Sequence, residues 1–352
     1  MKAAFVSVVP SPYQRDLFRA LAQRPEVDLS VFYLEAAAPD SPWPEKTLEP
    51  YEKIMRGFWL PVGSARCHVN WPLPKLEDFD VVVMNTLMSF TAQWLMRTTL
   101  RHKPWFFWGE RLGRGGKMHE RLSEPLHRAT GIAAIGTFAD EDYRARFPEP
   151  QHFRIPYFCD LDPFLALPRH TRTNGQVVFL FCGQMIARKG VDLLLEAFQR
   201  LGGAARLLLV GREAELPQLL APLPAAVRDR IIYAGFQAPE ELPHFFAQAD
   251  VFVLPSRYDG WGVVVNQALG AGLPIVCSDM VGAGRDLVEE EINGLRFPAG
   301  DAAALAEKMQ RFIVQPSLCE SWGQVSRRRA RHWTPAAGAA KWVDVFQTAL
   351  QS

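Results

Sequence analysis

Short apolar runs alternate along the chain with stretches in which apolar residues recur at helical spacing. Runs at 3–9, 27–34, 81–84, 105–108, 132–135 and 153–155 read as strands, that at 81–84 as a buried one. Residues 14–23 and 88–100 read as helices between them, and 35–50, rich in Pro and Ala around Trp43, as a loop. This alternation predicts a doubly wound α/β domain. The segment 155–173 breaks the pattern with three prolines and no periodicity, so it reads as an interdomain linker. Alternation restarts with strands at 177–181, 206–210, 230–233, 251–254, 274–277 and 294–297, and helices at 301–313, 317–331 and 335–350 follow. No repeat of solenoid period is present. The predicted architecture is two Rossmann-like α/β domains facing a cleft, a favoured place for ligands.

The most informative stretch is 249–279, ADVFVLPSRYDGWGVVVNQALGAGLPIVCSD. A buried strand ends at Pro255-Ser256, the turn Gly260-Trp261-Gly262 follows, and a helix over 263–271 closes at Gly272 and Pro274. Strand, glycine turn and helix in that order leave amide N–H groups unpaired at the carboxyl edge of a parallel sheet, where such proteins bind phosphorylated ligands. Glycines let the backbone approach a bulky anion. Asp259 and Gln267 are expected to face the ligand from either side of the turn.

A second constellation spans 179–195, FLFCGQMIARKGVDLLL. A strand runs into Gly183, and a loop carries Arg188-Lys189-Gly190 to the start of an amphipathic helix. Two cations at a strand end beside a helix N-terminus suit an anion. Alone, they are as well explained as solvated loop charges. Together with the Asp259–Gln267 turn, they predict two loops converging on one diphosphate.

These motifs resemble those of GT-B-fold retaining glycosyltransferases of family four. The matching pieces are Gly183 through Gly190, Leu254-Pro255-Ser256, Asp259-Gly260-Trp261-Gly262 through Gln267, 268–274, Asn293-Gly294, and Arg154-Ile155-Pro156-Tyr157 with Asp160. The resemblance covers most of the chain and is strongest over 177–300. It implies transfer of a sugar, with retention, from a nucleotide-diphosphate sugar (a UDP-sugar by preference) to a glycan, lipid-linked or small-molecule acceptor. By position, Lys189 helped by Arg188 would neutralise the diphosphate leaving group, so no metal or other cofactor is expected. Backbone N–H groups of Trp261, Gly262 and Val263 would hold the phosphates or sugar. Asp259 would accept from sugar hydroxyls and Gln267 would meet the ribose. The implied division is an acceptor-binding domain at 1–160, a linker at 161–175, a donor-binding domain at 176–334, and a helix at 335–352 packing back across to the first domain.

Three departures from the family form stand out. Gln184 occupies a position where many members carry Arg, Asp259 is one methylene shorter than the usual Glu, and Gln267 replaces a second Glu with a neutral amide. An amide offers one acceptor and one donor group where a carboxylate offers only acceptors. Gln184 and Gln267 motivate the alternative of a GT-B protein that binds a nucleotide sugar or a partner without turnover. A GT-B epimerase would be expected to show a catalytic carboxylate and histidine arrangement, which is not found.

On the acceptor side the candidates are Ser11 and Tyr13 after the first strand, Asn85 after the strand at 81–84, and Glu110 after that at 105–108. The plainer alternatives are an ion pair of Glu110 with Arg111 or Arg114, and capping of the next helix by Asn85. Between Arg97 and Arg128 eight Lys or Arg face three Glu, interleaved with Trp105, Phe106, Phe107 and Trp108. Such a surface would suit a lipid-linked acceptor at a membrane face, whereas the aromatics alone would suit a core strand. Arg327-Arg328-Arg329 with Arg331 reads as a solvated cluster, and Trp333 and Trp342 as packing for the final helix.

Composition narrows the rest. At 352 residues the chain is long enough for two sizeable cores. Its 48% apolar and 22% charged content are those of a soluble globular protein. A net charge of +1 gives no reason to expect nucleic acid. No apolar run reaches bilayer-spanning length, and the chain start reads as a strand rather than a signal peptide. The five scattered cysteines are expected to be reduced thiols. The expected location is cytoplasmic, with peripheral contact at the inner membrane face admitted by the basic and aromatic stretch.

Overall fold

Nearly unbroken apolar runs make the central strands, because a parallel strand covered on both faces has no solvent side to keep polar. In the computed structural model, which describes residues 1–37, 47–62, 65–113, 115–168 and 175–351, these runs assemble two parallel sheets. The chain divides into two compact units, Met1–Cys159 with Pro335–Ser352, and Asp160–Thr334.

The first unit is built on β1 (Lys2–Ser7), β2 (Asp28–Tyr33), β3 (Glu52–Ile54), β4 (Gly57–Val62), β5 (Ala65–Asn70), β6 (Val81–Met84), β7 (Trp105–Gly109), β8 (Gly131–Ala134) and β9 (Gln151–Arg154). Seven of them form a sheet in the order β3-β2-β1-β6-β7-β8-β9, with every pairing parallel. β4 and β5 pair separately as an antiparallel ribbon. Sequence patterning does not predict β3 or this ribbon. β3 is only three residues long, and β4 is exposed on both faces and interrupted by Pro61, so neither presents a buried run.

Trp105 to Trp108 lie inside the sheet, fully or almost fully buried, which removes them from any membrane-facing surface. Trp342, on the helix Pro335–Gln351, packs edge-on against Phe5 at 5.3 Å and Trp108 at 5.8 Å between ring centres. That helix lies along Pro12–Ala22 and belongs to the first unit's core.

The second unit contains β10 (Val177–Cys182), β11 (Ala205–Val210), β12 (Ile231–Tyr233), β13 (Val251–Leu254), β14 (Ile275–Ser278) and β15 (Gly294–Phe297). They form one parallel sheet in the order β12-β11-β10-β13-β14-β15. In the stretch read as a linker, Asp162–Leu165 forms a helical turn against the helix Val264–Ala271, within the second unit. Residues 169–174 of that stretch lie outside the described residues. Trp333 packs on Trp261 at 6.0 Å, so the two tryptophans near the chain's last helix serve different cores. Among the described residues no helix is long and apolar enough to cross a membrane.

Candidate functional site

In each sheet the strand order reverses once, between β1 and β6 and between β10 and β13. Loops leaving the carboxyl ends of neighbouring strands part at such a switch point, and the crevice between them is where open α/β sheets take ligands. In the second unit the loop after β10 carries Gly183, Gln184, Arg188 and Lys189, and the loop after β13 carries Asp259, Gly260, Trp261 and Gly262. The two constellations singled out in the sequence therefore flank one switch point.

Their side chains meet. Lys189 Nζ donates to Asp259 Oδ2 at 2.5 Å, with side-chain exposures of 17% and 11%. Ser256 Oγ donates to the same oxygen at 3.4 Å. Gly190 makes this approach possible. It sits in the left-handed region at φ 73°, and a Cβ there would strike the carbonyl oxygen of Pro255. On the other flank a Cβ at Gly282 would strike the Gly260 carbonyl, and Gly282 N–H donates to Asp259 O at 3.1 Å. Backbone close contact on both sides thus fixes Asp259 and the turn that follows.

The helix Val264–Ala271 begins two residues past Gly262, at φ 90°, with Val263 as its N-cap and no side chain capping it. Val265 and Asn266 N–H donate to the Gly262 and Val263 carbonyls, so the amides that can turn to an anion are those of Gly262, Val263 and Val264 just before them. The helix starts one residue later than the sequence suggests, so Val263 is its cap rather than its first residue. Gln267, half-buried, lies one turn in.

Two further predictions gain detail. Trp261 is fully buried, and its indole N–H donates to Asn266 Oδ1 at 2.9 Å, so only its backbone is available to a ligand. Arg188 is exposed and donates to Tyr258 O at 3.2 Å, which ties the two loops. The sequence reading missed Arg257. Its guanidinium takes both carboxylate oxygens of Asp192 at 2.7 and 2.6 Å and also donates to Ala187 O at 2.6 Å. The Arg257 hydrogen bonds hold Asp192 below its ordinary pKa, and the Asp192 carboxylate raises Arg257. No sequence spacing announces this brace, because its partners are 65 positions apart. Burial pushes the nearby Cys182 thiol up to about 12, against the opposing charge of Lys189, and so favours its protonated form.

The first unit gathers its own candidates at its switch point. Asn85, after β6, accepts from Gln14 Nε2 at 2.6 Å and donates to Trp108 O at 2.6 Å. It therefore braces strand ends, while Ser89 caps the helix Phe90–Arg97 by accepting from Ala92 N. Tyr13 packs edge-on against Tyr157 at 4.7 Å. The Tyr157 hydroxyl is hydrogen-bonded to Gln14 and Glu110, and burial first, then the Glu110 charge, holds this phenol well above its ordinary pKa. Ser11 Oγ is buried with no hydrogen-bond partner among the described residues. Ser11, Tyr13, Asn85 and Glu110 thus come together with Gln14 and Tyr157. Of the plainer partners for Glu110, Arg111 faces Asp142 at 3.9 Å, and Arg114 lies outside the described residues.

The remaining basic stretches are largely consumed internally. Arg97 and Arg128 share Glu124, Arg327 donates to the carbonyls of Leu165 and Leu167, and Arg329 pairs with Glu289. A cavity of about 610 Å³ beside Gly272 and Arg328 lies at the other end of the Val264–Ala271 helix, away from Lys189. Among the described residues no cluster of three or more His, Cys, Asp or Glu has the geometry to hold a metal.

Comparison with known proteins agrees with this geometry. Residues 176–315 match the family model described as Glycosyl transferases group 1. The alpha-D-kanosaminyltransferase of Streptomyces kanamyceticus is 28% identical over 227 residues, 58% of either chain. The GDP-mannose-dependent alpha-mannosyltransferase of Mycobacterium tuberculosis is 29% identical over 184 residues, 49% of this chain and 47% of its own. The chain spans about half the length of the curated relatives it matches. Among solved structures, sucrose-phosphate synthase from Thermosynechococcus elongatus superposes with a TM-score of 0.79 at 21% identity, covering 100% of this chain and 99% of its own. Anabaena HepE, solved in complex with UDP, gives 0.76 at 16% identity, covering 99% and 100%. The chain therefore has the GT-B fold, and residues 176–315 of its second unit are similar to the glycosyl transferases group 1 family.

Proposed function

We propose that this chain is a retaining glycosyltransferase of family four that moves a sugar from a nucleotide-diphosphate sugar to a glycan, lipid-linked or small-molecule acceptor without a metal. The observation that carries the reading is the meeting of Lys189 and Asp259 beside the uncapped start of the Val264–Ala271 helix. A diphosphate leaving group develops charge as the glycosidic bond breaks, and a fixed ammonium opposite free backbone amides stabilises it there. When the donor enters, Lys189 exchanges Asp259 for phosphate oxygens, which frees the carboxylate to accept from sugar hydroxyls. Gln267 reaches the ribose from the helix. Ser11, Tyr13 and Glu110, held together with Tyr157, receive the acceptor.

UDP is the favoured base, supported by the complexes of HepE with UDP and with UDP-glucose. The mannosyltransferase relative is described as dependent on GDP-mannose, so both bases belong in the test. The reading is tested by calorimetric titration of UDP- and GDP-sugars into wild type and Lys189→Ala. Turnover in the presence of a chelator and the anomeric configuration of the product complete the test. Binding without turnover, with donor affinity intact, would favour the second reading, a nucleotide-sugar binding module, to which the neutral Gln267 points.

A further inference from the structure

Lys189 ends a short helical turn, Ala187–Lys189, and Gly190 joins it to the helix Val191–Gln199. Two contacts already described set this segment against the loop after β13, and neither can keep it there while a diphosphate is bound. The close approach of Gly190 to the Pro255 carbonyl resists compression but not separation. The Lys189–Asp259 bond is the one that a phosphate would break. Arg257 supplies the missing hold. Its Nη1 donates to Ala187 O at 2.6 Å and to Asp192 Oδ1 at 2.7 Å, and its Nη2 donates to Asp192 Oδ2 at 2.6 Å. Its backbone N–H donates to Arg188 O at 2.9 Å. One residue of the β13 loop thus grips the chain on both sides of Lys189.

The brace stands outside the pair it supports. The Arg257 and Asp192 side chains are 39% and 33% exposed, against 17% and 11% for Lys189 and Asp259. An ion pair so open to water contributes little to global stability. Its geometry is another matter. A planar guanidinium on both oxygens of one carboxylate and on a carbonyl fixes direction as well as distance, which an ammonium does not. Asp192 lies in the first turn of its helix, where negative charge is favoured, so that end of the brace is anchored. With Asp192 neutralising it, the guanidinium adds no net cation to the crevice. Its effect is therefore on where Lys189 stands. Position matters there, because a misplacement of about 1 Å can cost about 10²-fold in rate.

We propose that Arg257 is a positioning residue of the donor site: its fork on Asp192 and the Ala187 carbonyl holds the Lys189 ammonium where the diphosphate leaving group arrives, and it touches no substrate itself. The proposal rests on the leaving-group role of Lys189. Its test is calorimetric titration of UDP and of GDP, with thermal melts, into the full chain as wild type, Lys189→Ala, Arg257→Ala and the double variant. Arg257→Ala should weaken the nucleotide that wild type binds at least about fivefold, part of what one charge-assisted hydrogen bond contributes. It should melt within about 3 °C of wild type. In the Lys189→Ala background the same substitution should cost less than about twofold, since the brace acts through the missing ammonium. Arg257→Lys keeps the charge and loses the fork. It should fall between wild type and Arg257→Ala, and it carries the test if the alanine variant does not fold. Arg200→Ala, which removes a more exposed pair with Glu196 from the far end of the same helix, should bind as wild type does. A wild type that binds neither nucleotide overturns the donor-site reading and this proposal with it. Affinity lost in Lys189→Ala but kept in Arg257→Ala, or lost to Arg257→Ala equally with and without Lys189, overturns the brace alone.

Discussion

Lys189 and Asp259, 70 positions apart in the chain, share a hydrogen bond of 2.5 Å at the point where the second sheet reverses its strand order. The pair is mostly shielded from water, so each charge depends on the other until an anionic ligand offers Lys189 an alternative. Lys189→Ala should therefore lower turnover of a nucleotide sugar by about 10²- to 10³-fold, the range for removing one stabiliser of developing charge. Steady-state kinetics against a panel of donors measures this; a loss below about threefold would remove Lys189 from the leaving-group role.

Gln267 offers an amide where a carboxylate would accept from both ribose hydroxyls. Gln267→Glu is expected to tighten donor binding several-fold. An unchanged dissociation constant in calorimetry would mean that residue 267 does not meet the ribose.

Gly190 is held at φ 73° with the Pro255 carbonyl where a Cβ would go. Gly190→Ala should cost about 1–2 kcal/mol from the left-handed backbone alone, and more from the displaced loop. Thermal melts should show the loss together with weakened nucleotide binding. Gly203→Ala, where a Cβ meets open space, is the control and should melt within error of wild type.

A buried network holds the start of β3. Arg15 donates to both oxygens of Glu52, and Tyr33 Oη donates to Glu52 Oε1 at 2.7 Å. Burial would raise the Glu52 pKa, but hydrogen bonds from Arg15, Glu49 N–H and Tyr33, with the Arg15 charge, outweigh it and leave the carboxyl below its ordinary value. A depressed folded-state pKa stabilises the native state above the unfolded value, and the contribution fades as pH falls through the folded one. Denaturant melts should thus lose stability as pH drops below the ordinary carboxylate range. Arg15→Ala should cost about 3–5 kcal/mol at neutral pH by leaving Glu52 buried and unpaired.

Trp342 is fully buried against Phe5 and Trp108. Trp342→Ala is expected to cost about 3–5 kcal/mol. Hydrogen exchange should show the loss first in β1 and β7; protection unchanged there would place the energetics of this ring elsewhere.

Much of the second unit's site could be read from the chain because its parts are local. The Gly183–Gly190 loop and the Asp259–Gln267 turn each lie within a few residues of a buried strand, and both are marked by glycines that backbone geometry requires. Arg257 and Tyr157 were not read as site residues, since what gives them meaning is a partner far away in sequence. The reading of 97–128 as a basic and aromatic surface fails for the opposite reason. Trp105 to Trp108 are aromatic and beside cations, yet a run buried on both faces of a parallel sheet reads the same as a sticky surface. The β4–β5 ribbon, which is exposed, carries too little pattern to register as strands.

Because Pro335–Ser352 completes the first unit while Asp160–Thr334 forms the second, the later-synthesised unit has all its residues before the earlier one does. On the ribosome, the surface of Phe5 and Trp108 that Trp342 covers must wait, uncovered, through the translation of a whole intervening domain. That interval is when a chaperone would find this polypeptide.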